Sequence, residues 1–502
     1  MNRISRTTFI AAFISIFVLV TSCKDNHTKE FNRLLLELAD NDQTIDRDDW
    51  IEIEKYLDSQ KANFRFLFDD DNISIQGVKE YIQDFFERRR PSKEIQFVGI
   101  GGKEYMNVNF YLERSGSMTP YDSPNGDGSF KAAIVQMLNN LPGNNEDNKI
   151  YVVNSSINAY PDGFSKFISD TNIFEATKGI GDPSYTDFGA IFTQLLDKTG
   201  EDELSILVSD MIYSTKDMIG INPQKVFAEA QGMANAVFKK QVQDKAMLIV
   251  KMNGSFSGPY YCYNSPKGGK SYTGRRPYYI VVVGSNQNIV RLTKDKNYLP
   301  FSNFSELKGY ENMYLFETDD VYKPYYSFML SNPDIRGRFA PEHGKDTQIK
   351  DLTDMEVDRN SGDIRLALAV DLSGMLIDKD YLTDVKNYQI DSDDKLEIKE
   401  IREINKNDIT PAEKKYIGSA THIFILGMNE IKNDQHVEIK LLNNLPSWIE
   451  ETSSDDDTNV GIGNFSQTTF GLKYLMQGIY NSYKKNSKQN PYYFELEMNF
   501  KK

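Results

Sequence analysis

The chain has 502 residues, too many for one hydrophobic core, and 39% apolar, 26% charged and 12% aromatic content mark a globular protein of two or three domains. A formal net charge of −15 argues against a nucleic-acid partner, whose phosphates would be repelled, and is compatible with cation binding. The 29 tyrosines and 30 phenylalanines favour β-rich parts with much amphipathic surface.

The first residues have the form of an export signal. Arg3 and Arg6 precede an apolar run, Phe9 to Val20, too short to span a bilayer as a stable helix. Val20-Thr21-Ser22-Cys23 then resembles the lipobox of bacterial lipoproteins. That resemblance implies a signal peptide over 1–22 and acylation of Cys23, with palmitate among the chains. Several acyl chains would anchor the protein on a membrane without a transmembrane helix. Lys24-Asp25 resembles a surface-export signal of such lipoproteins, so the implied location is the bacterial cell envelope. Lipid anchoring to the outer membrane, on its periplasmic face or at the cell surface, is the expectation. The alternative is an ordinary secretory signal cut elsewhere. With Cys23 lipidated, Cys262 is the only cysteine left and no intramolecular disulfide can form.

Residues 23–100 read as a helical N-terminal region. NRLLLELAD, DWIEIEKYL and VKEYIQDFFERR carry apolar residues at three- and four-residue spacing, with Thr44 or Asp46, and Ser74, as candidate N-caps. An EF-hand over 39–46 fails: the turn glycine is absent, and Leu38 falls at the first ligand position.

From Asn107 strands and helices alternate. NVNFYL, KIYVVNSSI, LSILVSD, AMLIVKM and YYIVVVGS read as strands; SFKAAIVQMLNNL, FGAIFTQLLDK and PQKVFAEAQGMANAVFKKQ read as helices. Near-continuous Ile/Val/Leu runs between amphipathic helices predict an α/β domain over 103–325, with a mostly parallel, Rossmann-like central sheet. The Gly/Pro-rich stretch SFSGPYYCYNSPKGGKSYTGRRP reads as a loop or hairpin inserted at the sheet edge. After HGKDTQIKDLTDMEVDRNSGD, a polar connection, residues 335–502 predict a β-rich, sandwich-like C-terminal domain. One helix, GLKYLMQGIYNSYKK, is appended to it.

In an open parallel sheet, ligands lie beyond the carboxyl ends of the strands. Three loops there carry hard oxygen donors: Glu113-Arg114-Ser115-Gly116-Ser117, Asp182 to Asp187 with Thr186, and Ser209-Asp210. Such donors suit a hard divalent ion. Together these loops resemble a von Willebrand factor type A domain. ERSGSM matches that family's DxSxS metal-ion-dependent adhesion site with Glu for Asp, Thr186 matches its threonine, and Asp210 its distant aspartate.

The resemblance implies that Ser115, Ser117 and Thr186 bind the ion directly while Glu113 and Asp210 act through waters. Mg²⁺ is the expected ion, with Ca²⁺ or Mn²⁺ as alternatives, and a protein ligand offering an acidic residue takes the open position. Glu113 is the departure, and its extra methylene either retunes the site or leaves a fold-only remnant in which the serines cap the loop.

Asp371-Leu372-Ser373-Gly374 looks similar but has Met375 for the second serine and reads as an ordinary strand end. Asp122 and Asp127, and the run Asp455-Asp456-Asp457, read as solvated loop acids. His27, His343, His422 and His436 form no HExxH or close cluster, and no nucleophile elbow or Walker loop is present, so no enzyme is expected. The expected role is ion-mediated adhesion or interaction; the alternative is a metal-independent scaffold or assembly subunit of an envelope complex.

Overall fold

The computed structural model describes residues 27–39, 44–45, 47–69, 72–89, 95–97, 106–142, 148–169, 172–200, 203–213, 220–242, 245–263, 268–294, 298–317, 323–342, 348–411, 413–486 and 492–502. Cys23 and the whole signal segment lie outside them, as does Asp46. The chain divides into two compact units, Met1–Gly102 and Lys103–Lys502.

In the first unit, helices α1 (27–39), α2 (Arg47–Ser59) and α3 (Ile75–Arg89) bury the faces their spacing marks. Phe31 and Leu35, Trp50, Ile53 and Leu57, and Val78, Ile82 and Phe86 form one core. Ser74 caps α3 by accepting from the Gly77 amide at 3.4 Å. Thr44 sits in a two-residue strand, Thr44–Ile45, parallel to Gln96–Phe97.

The second unit opens with seven strands. They are β1 (Asn107–Glu113), β2 (Lys149–Val153), β3 (Ile157–Ala159), β4 (Glu203–Ser209), β5 (Ala246–Tyr260), β6 (Lys270–Gly284) and β7 (Tyr310–Phe316). Their order is β7-β5-β6-β4-β1-β2-β3. Helix α4 (Ser129–Asn139) covers one face, while α5 (Phe188–Lys198) and α6 (Pro223–Gln241) cover the other. The β6 residues show the double burial: Ile280 and Val282 enter the core with α4, Val281 and Val283 the core with α5.

The sheet is mixed rather than mostly parallel. Only β1 pairs in parallel, with β2 and β4. The reason lies between β5 and β6, where residues 261–269 leave no room for a crossover helix, so the chain returns antiparallel. Their register runs unbroken from Ala246–Gly284 to Tyr260–Lys270. The stretch read as an inserted loop or hairpin is a hairpin, in which 255–260 and 270–277 are strand and pair only with each other, so it projects beyond the rest of the sheet. Tyr279 faces Ser209, so residues 270–278 continue past the carboxyl end of β4, over the ligand-bearing edge.

Nine further strands build the two larger C-terminal sheets among the described residues: β8 (Tyr326–Phe328), β9 (Arg338–Pro341), β10 (Leu352–Glu356), β11 (Ile364–Val370), β12 (Tyr388–Asp391), β13 (Glu397–Glu403), β14 (His422–Met428), β15 (Gln435–Leu442) and β16 (Tyr492–Phe500). They form an antiparallel sheet, β8-β11-β14-β13, and a second sheet, β9-β10-β16-β15-β12, with one parallel contact between β10 and β16. β10 lies within the stretch expected to be a polar connection, with Leu352 and Met355 buried. Leu366, Phe424, Ile439 and Phe494 of these sheets share one continuous core with Phe192 of α5 and Phe316 of β7.

Helix α7 (Leu472–Asn486) is wedged into that core rather than appended to it. It crosses α6 so closely that a Cβ on Gly478 would stand 2.6 Å from the Gln231 carbonyl oxygen and 2.8 Å from the Ala234 Cβ.

Candidate metal centre

Because β1 and β4 are adjacent and parallel, Glu113 and Ser209 emerge side by side at the same edge. Glu113 is 1% exposed; its Oε1 accepts from the Thr186 hydroxyl at 2.5 Å and its Oε2 from the Ser209 hydroxyl. The Ser115 and Ser117 hydroxyls are hydrogen-bonded to each other at 2.9 Å, and Ser115 Oγ accepts from the Met118 amide at 3.3 Å. Asp210 Oδ1 accepts from the Ile212 amide at 3.1 Å, whereas Asp210 Oδ2 is buried with no hydrogen-bond partner. Glu113, Ser115, Ser117, Thr186 and Asp210 thus stand together, with Ser209, already placed beside Asp210 in the third donor loop, as a sixth member bonded to Glu113.

The Thr186 loop is held by Asn154, at the carboxyl end of β2 and fully buried. Asn154 Nδ2 donates to the Ile180 carbonyl at 2.9 Å, and its own carbonyl accepts from the Asp187 amide at 3.0 Å. Gly181 has φ +65°, and a Cβ there would stand 2.2 Å from Asn154 Oδ1, so this turn requires glycine. The Pro183 carbonyl then accepts from the Gly116 amide at 3.2 Å, locking the two loops together. Asp187 caps α5 through the Ala190 amide at 3.0 Å. On the third loop Met211, φ +57°, occupies the left-handed region without being glycine. Its amide is held by Ser209 Oγ at 2.8 Å; strain of this kind costs about 1–3 kcal/mol and gathers at functional sites.

Burial, and after it the Asp210 charge, push the Glu113 carboxyl up to about 8, against the Ser209, Thr186 and Ser115 hydroxyls. Burial also raises Asp210, opposed by the Ser117 hydroxyl, the Ile212 amide and the Arg276 charge. Arg276, 2% exposed, lies over the rings of Tyr260 and Phe465, 4.7 and 4.1 Å from their centroids, and donates to the Phe465 carbonyl. Two buried carboxylates, with the Arg276 charge acting on Asp210, leave the centre able to take a proton or a metal cation.

The residues present fit a hard ion. All donors are oxygens, and one carboxylate oxygen has no partner. A hydroxyl that donates to Glu113 keeps its lone pairs for a cation, so the Thr186 bond does not remove Thr186 as a ligand. Among the described residues no group of three His, Cys, Asp or Glu side chains could hold a metal, so any ion here would rest on hydroxyls as much as on carboxylates.

The other acids have structural duties. Asp122 is buried and accepts from the Ile173 amide at 2.7 Å, and Asp127 accepts from the Ser129 amide at 2.9 Å and pairs with Lys308 and Arg275. Asp457, 3% exposed, is no solvated turn residue either: it accepts from the Tyr260 hydroxyl at 2.9 Å and the Tyr263 amide at 3.2 Å. Packing of distant segments buries Asp122 and Asp457, which no local pattern announces, whereas Asp127, Asp455 and Asp456 are exposed, as loop acids are expected to be.

No protein-family model, no curated protein and no solved structure matches this chain.

Proposed function

We propose that this chain is a lipid-anchored envelope protein that binds a divalent cation, Mg²⁺ first, at Glu113, Ser115, Ser117, Thr186 and Asp210. Through that ion it holds an acidic side chain of a protein partner. The α/β part, which resembles a von Willebrand factor type A domain, is the binding head, and acylated Cys23 is the tether. The role is binding and not catalysis.

One observation carries this reading: a buried, unpartnered Asp210 oxygen stands beside a second buried carboxylate amid hydroxyls. A hard cation would neutralise both acids and give Asp210 Oδ2 its missing partner. The experiment is calorimetric Mg²⁺ titration of the chain without its signal peptide, for the native sequence, Ser117→Ala and Glu113→Asp. Saturable binding that Ser117→Ala removes supports the reading; no binding in any of the three sinks it.

A second reading has its own support. Both Glu113 oxygens are already met by Thr186 and Ser209. A proton shared by Glu113 and Asp210 would then take the place of an ion, leaving a metal-independent scaffold. In that case Mg²⁺ gives no heat, and EDTA leaves partner binding unchanged.

A further inference from the structure

The C-terminal part meets the candidate centre through the tip of the β5–β6 hairpin. Gly116, between the two site serines, lies under the ring of Tyr261: a Cβ at 116 would stand 3.1 Å from Tyr261 Cε2. Tyr261 itself is 42% exposed, so its ring has one face on the loop and another toward solvent.

Four residues of the 457–470 segment hold this tip. Asp457 takes the Tyr260 hydroxyl and the Tyr263 amide, the two residues flanking Tyr261 and Cys262. The Thr458 carbonyl accepts from Lys270 Nζ at 2.6 Å. Phe470 stacks on Tyr263 at 4.9 Å with an interplanar angle of 2°. Phe465 packs edge-on against Tyr260 and Tyr272, with centroids 4.8 and 5.0 Å away. A carboxylate buried to this degree persists only where hydrogen bonds repay its lost hydration, and here both bonds go to the hairpin tip.

We propose that the C-terminal part completes the binding site: Asp457 is a positioning residue that fixes the hairpin tip, and Tyr261 forms the wall along which the partner's acidic side chain reaches the centre. Tyrosine suits this place, because its ring packs on the aliphatic stem of a Glu or Asp while its hydroxyl donates to the carboxylate. The ligand half of the inference rests on the reading above; the positioning half does not.

Two measurements on the chain without its signal peptide test it. The first is amide hydrogen exchange at residues 115–118, where Asp457→Asn and Tyr261→Ala are expected to speed exchange at least about tenfold while β1 and β4 stay protected. Unchanged exchange in both variants overturns the proposal, and a thermal melt shows whether each variant is folded. Asp457→Asn keeps the side chain's shape but turns one of its two acceptors into a donor, so it breaks a tip contact while guarding against simple misfolding.

The second is binding of a labelled oligoglutamate peptide in the presence of Mg²⁺. Tyr261→Ala is expected to weaken it roughly fivefold, about 1 kcal/mol, and Tyr261→Phe by less. Equal affinity in the native chain and Tyr261→Ala overturns the wall. Absent Mg²⁺ binding alongside altered exchange would sink the cation reading and leave the positioning role standing.

Discussion

Two strand ends in this molecule look alike, and only one builds a centre. Glu113-Arg114-Ser115-Gly116-Ser117 follows β1, and Asp371-Leu372-Ser373-Gly374-Met375 follows β11. Each is an acid-x-Ser-Gly turn leaving a buried strand. β1 has parallel neighbours on both sides, so three carboxyl ends meet at one edge and deliver Asn154, Ser209 and Asp210 beside Glu113. β11 has antiparallel neighbours, and β14 presents its amino end there.

What β14 brings is Ser419, whose hydroxyl donates to Asp371 Oδ2 at 2.7 Å, while Ser373 closes on Oδ1 through its hydroxyl at 2.6 Å and its amide at 2.9 Å. Asp371 is satisfied on both oxygens; Asp210 is not. Strand direction, more than the motif's letters, separates a cluster with an open carboxylate oxygen from a closed turn.

The sharpest way to break this comparison is to remove one carboxylate from each end. Asp210→Asn is expected to lower Mg²⁺ affinity by roughly 100-fold, because half the formal charge facing the ion disappears, whereas Asp371→Asn leaves it unchanged. Calorimetric titration of both variants reads the difference.

The next largest effect is on pH. Folding raises Glu113 above its usual 4.5, so its contribution to stability is fully present below that value and is lost as pH rises through about 8. Metal-free protein is therefore expected to melt at progressively lower temperature across that window. Mg²⁺ displaces the proton, so its affinity climbs over the same range, by up to about tenfold per pH unit. Melting curves with and without Mg²⁺ check the sign, and a flat metal-free profile would refute it.

Gly181→Ala comes third. The left-handed turn and the close Asn154 amide are expected to cost about 1–3 kcal/mol in denaturant unfolding and to loosen Thr186. A smaller effect is expected from Gly116→Ala, about 1 kcal/mol, since the added methyl must push aside a half-exposed tyrosine ring. Combining it with Tyr261→Ala should relieve most of that cost. Smallest of all, Ser373→Ala is expected to cost about 0.5–1.5 kcal/mol of stability and nothing in Mg²⁺ affinity.

Much of this was legible from periodicity. α5 and α6 begin and end where FGAIFTQLLDK and PQKVFAEAQGMANAVFKKQ do, and the β6 run YYIVVVG signals burial on both faces. Short strands such as β10 were not, because half of it is polar and its identity comes from the strands it pairs with. The full length of the hairpin strands at 246–284 was not legible for a related reason. Gly254, Gly258 and Pro259 look like loop residues, yet each is paired across the ladder.

The sequence by itself determined the local chemistry: Glu113, Ser115, Ser117 and Asp210 at or just after strand ends set by apolar runs, and Thr186 just before an amphipathic helix. Tertiary structure alone decided that Ser209 and Asn154 join them, that Asp210 keeps an unpartnered oxygen, and that Tyr261 leans on Gly116 under the hold of Asp457. Periodicity reports which face of an element is buried, a property of neighbouring residues. Which distant groups share that burial depends on strand order and direction, and those are settled by the packing of the whole unit.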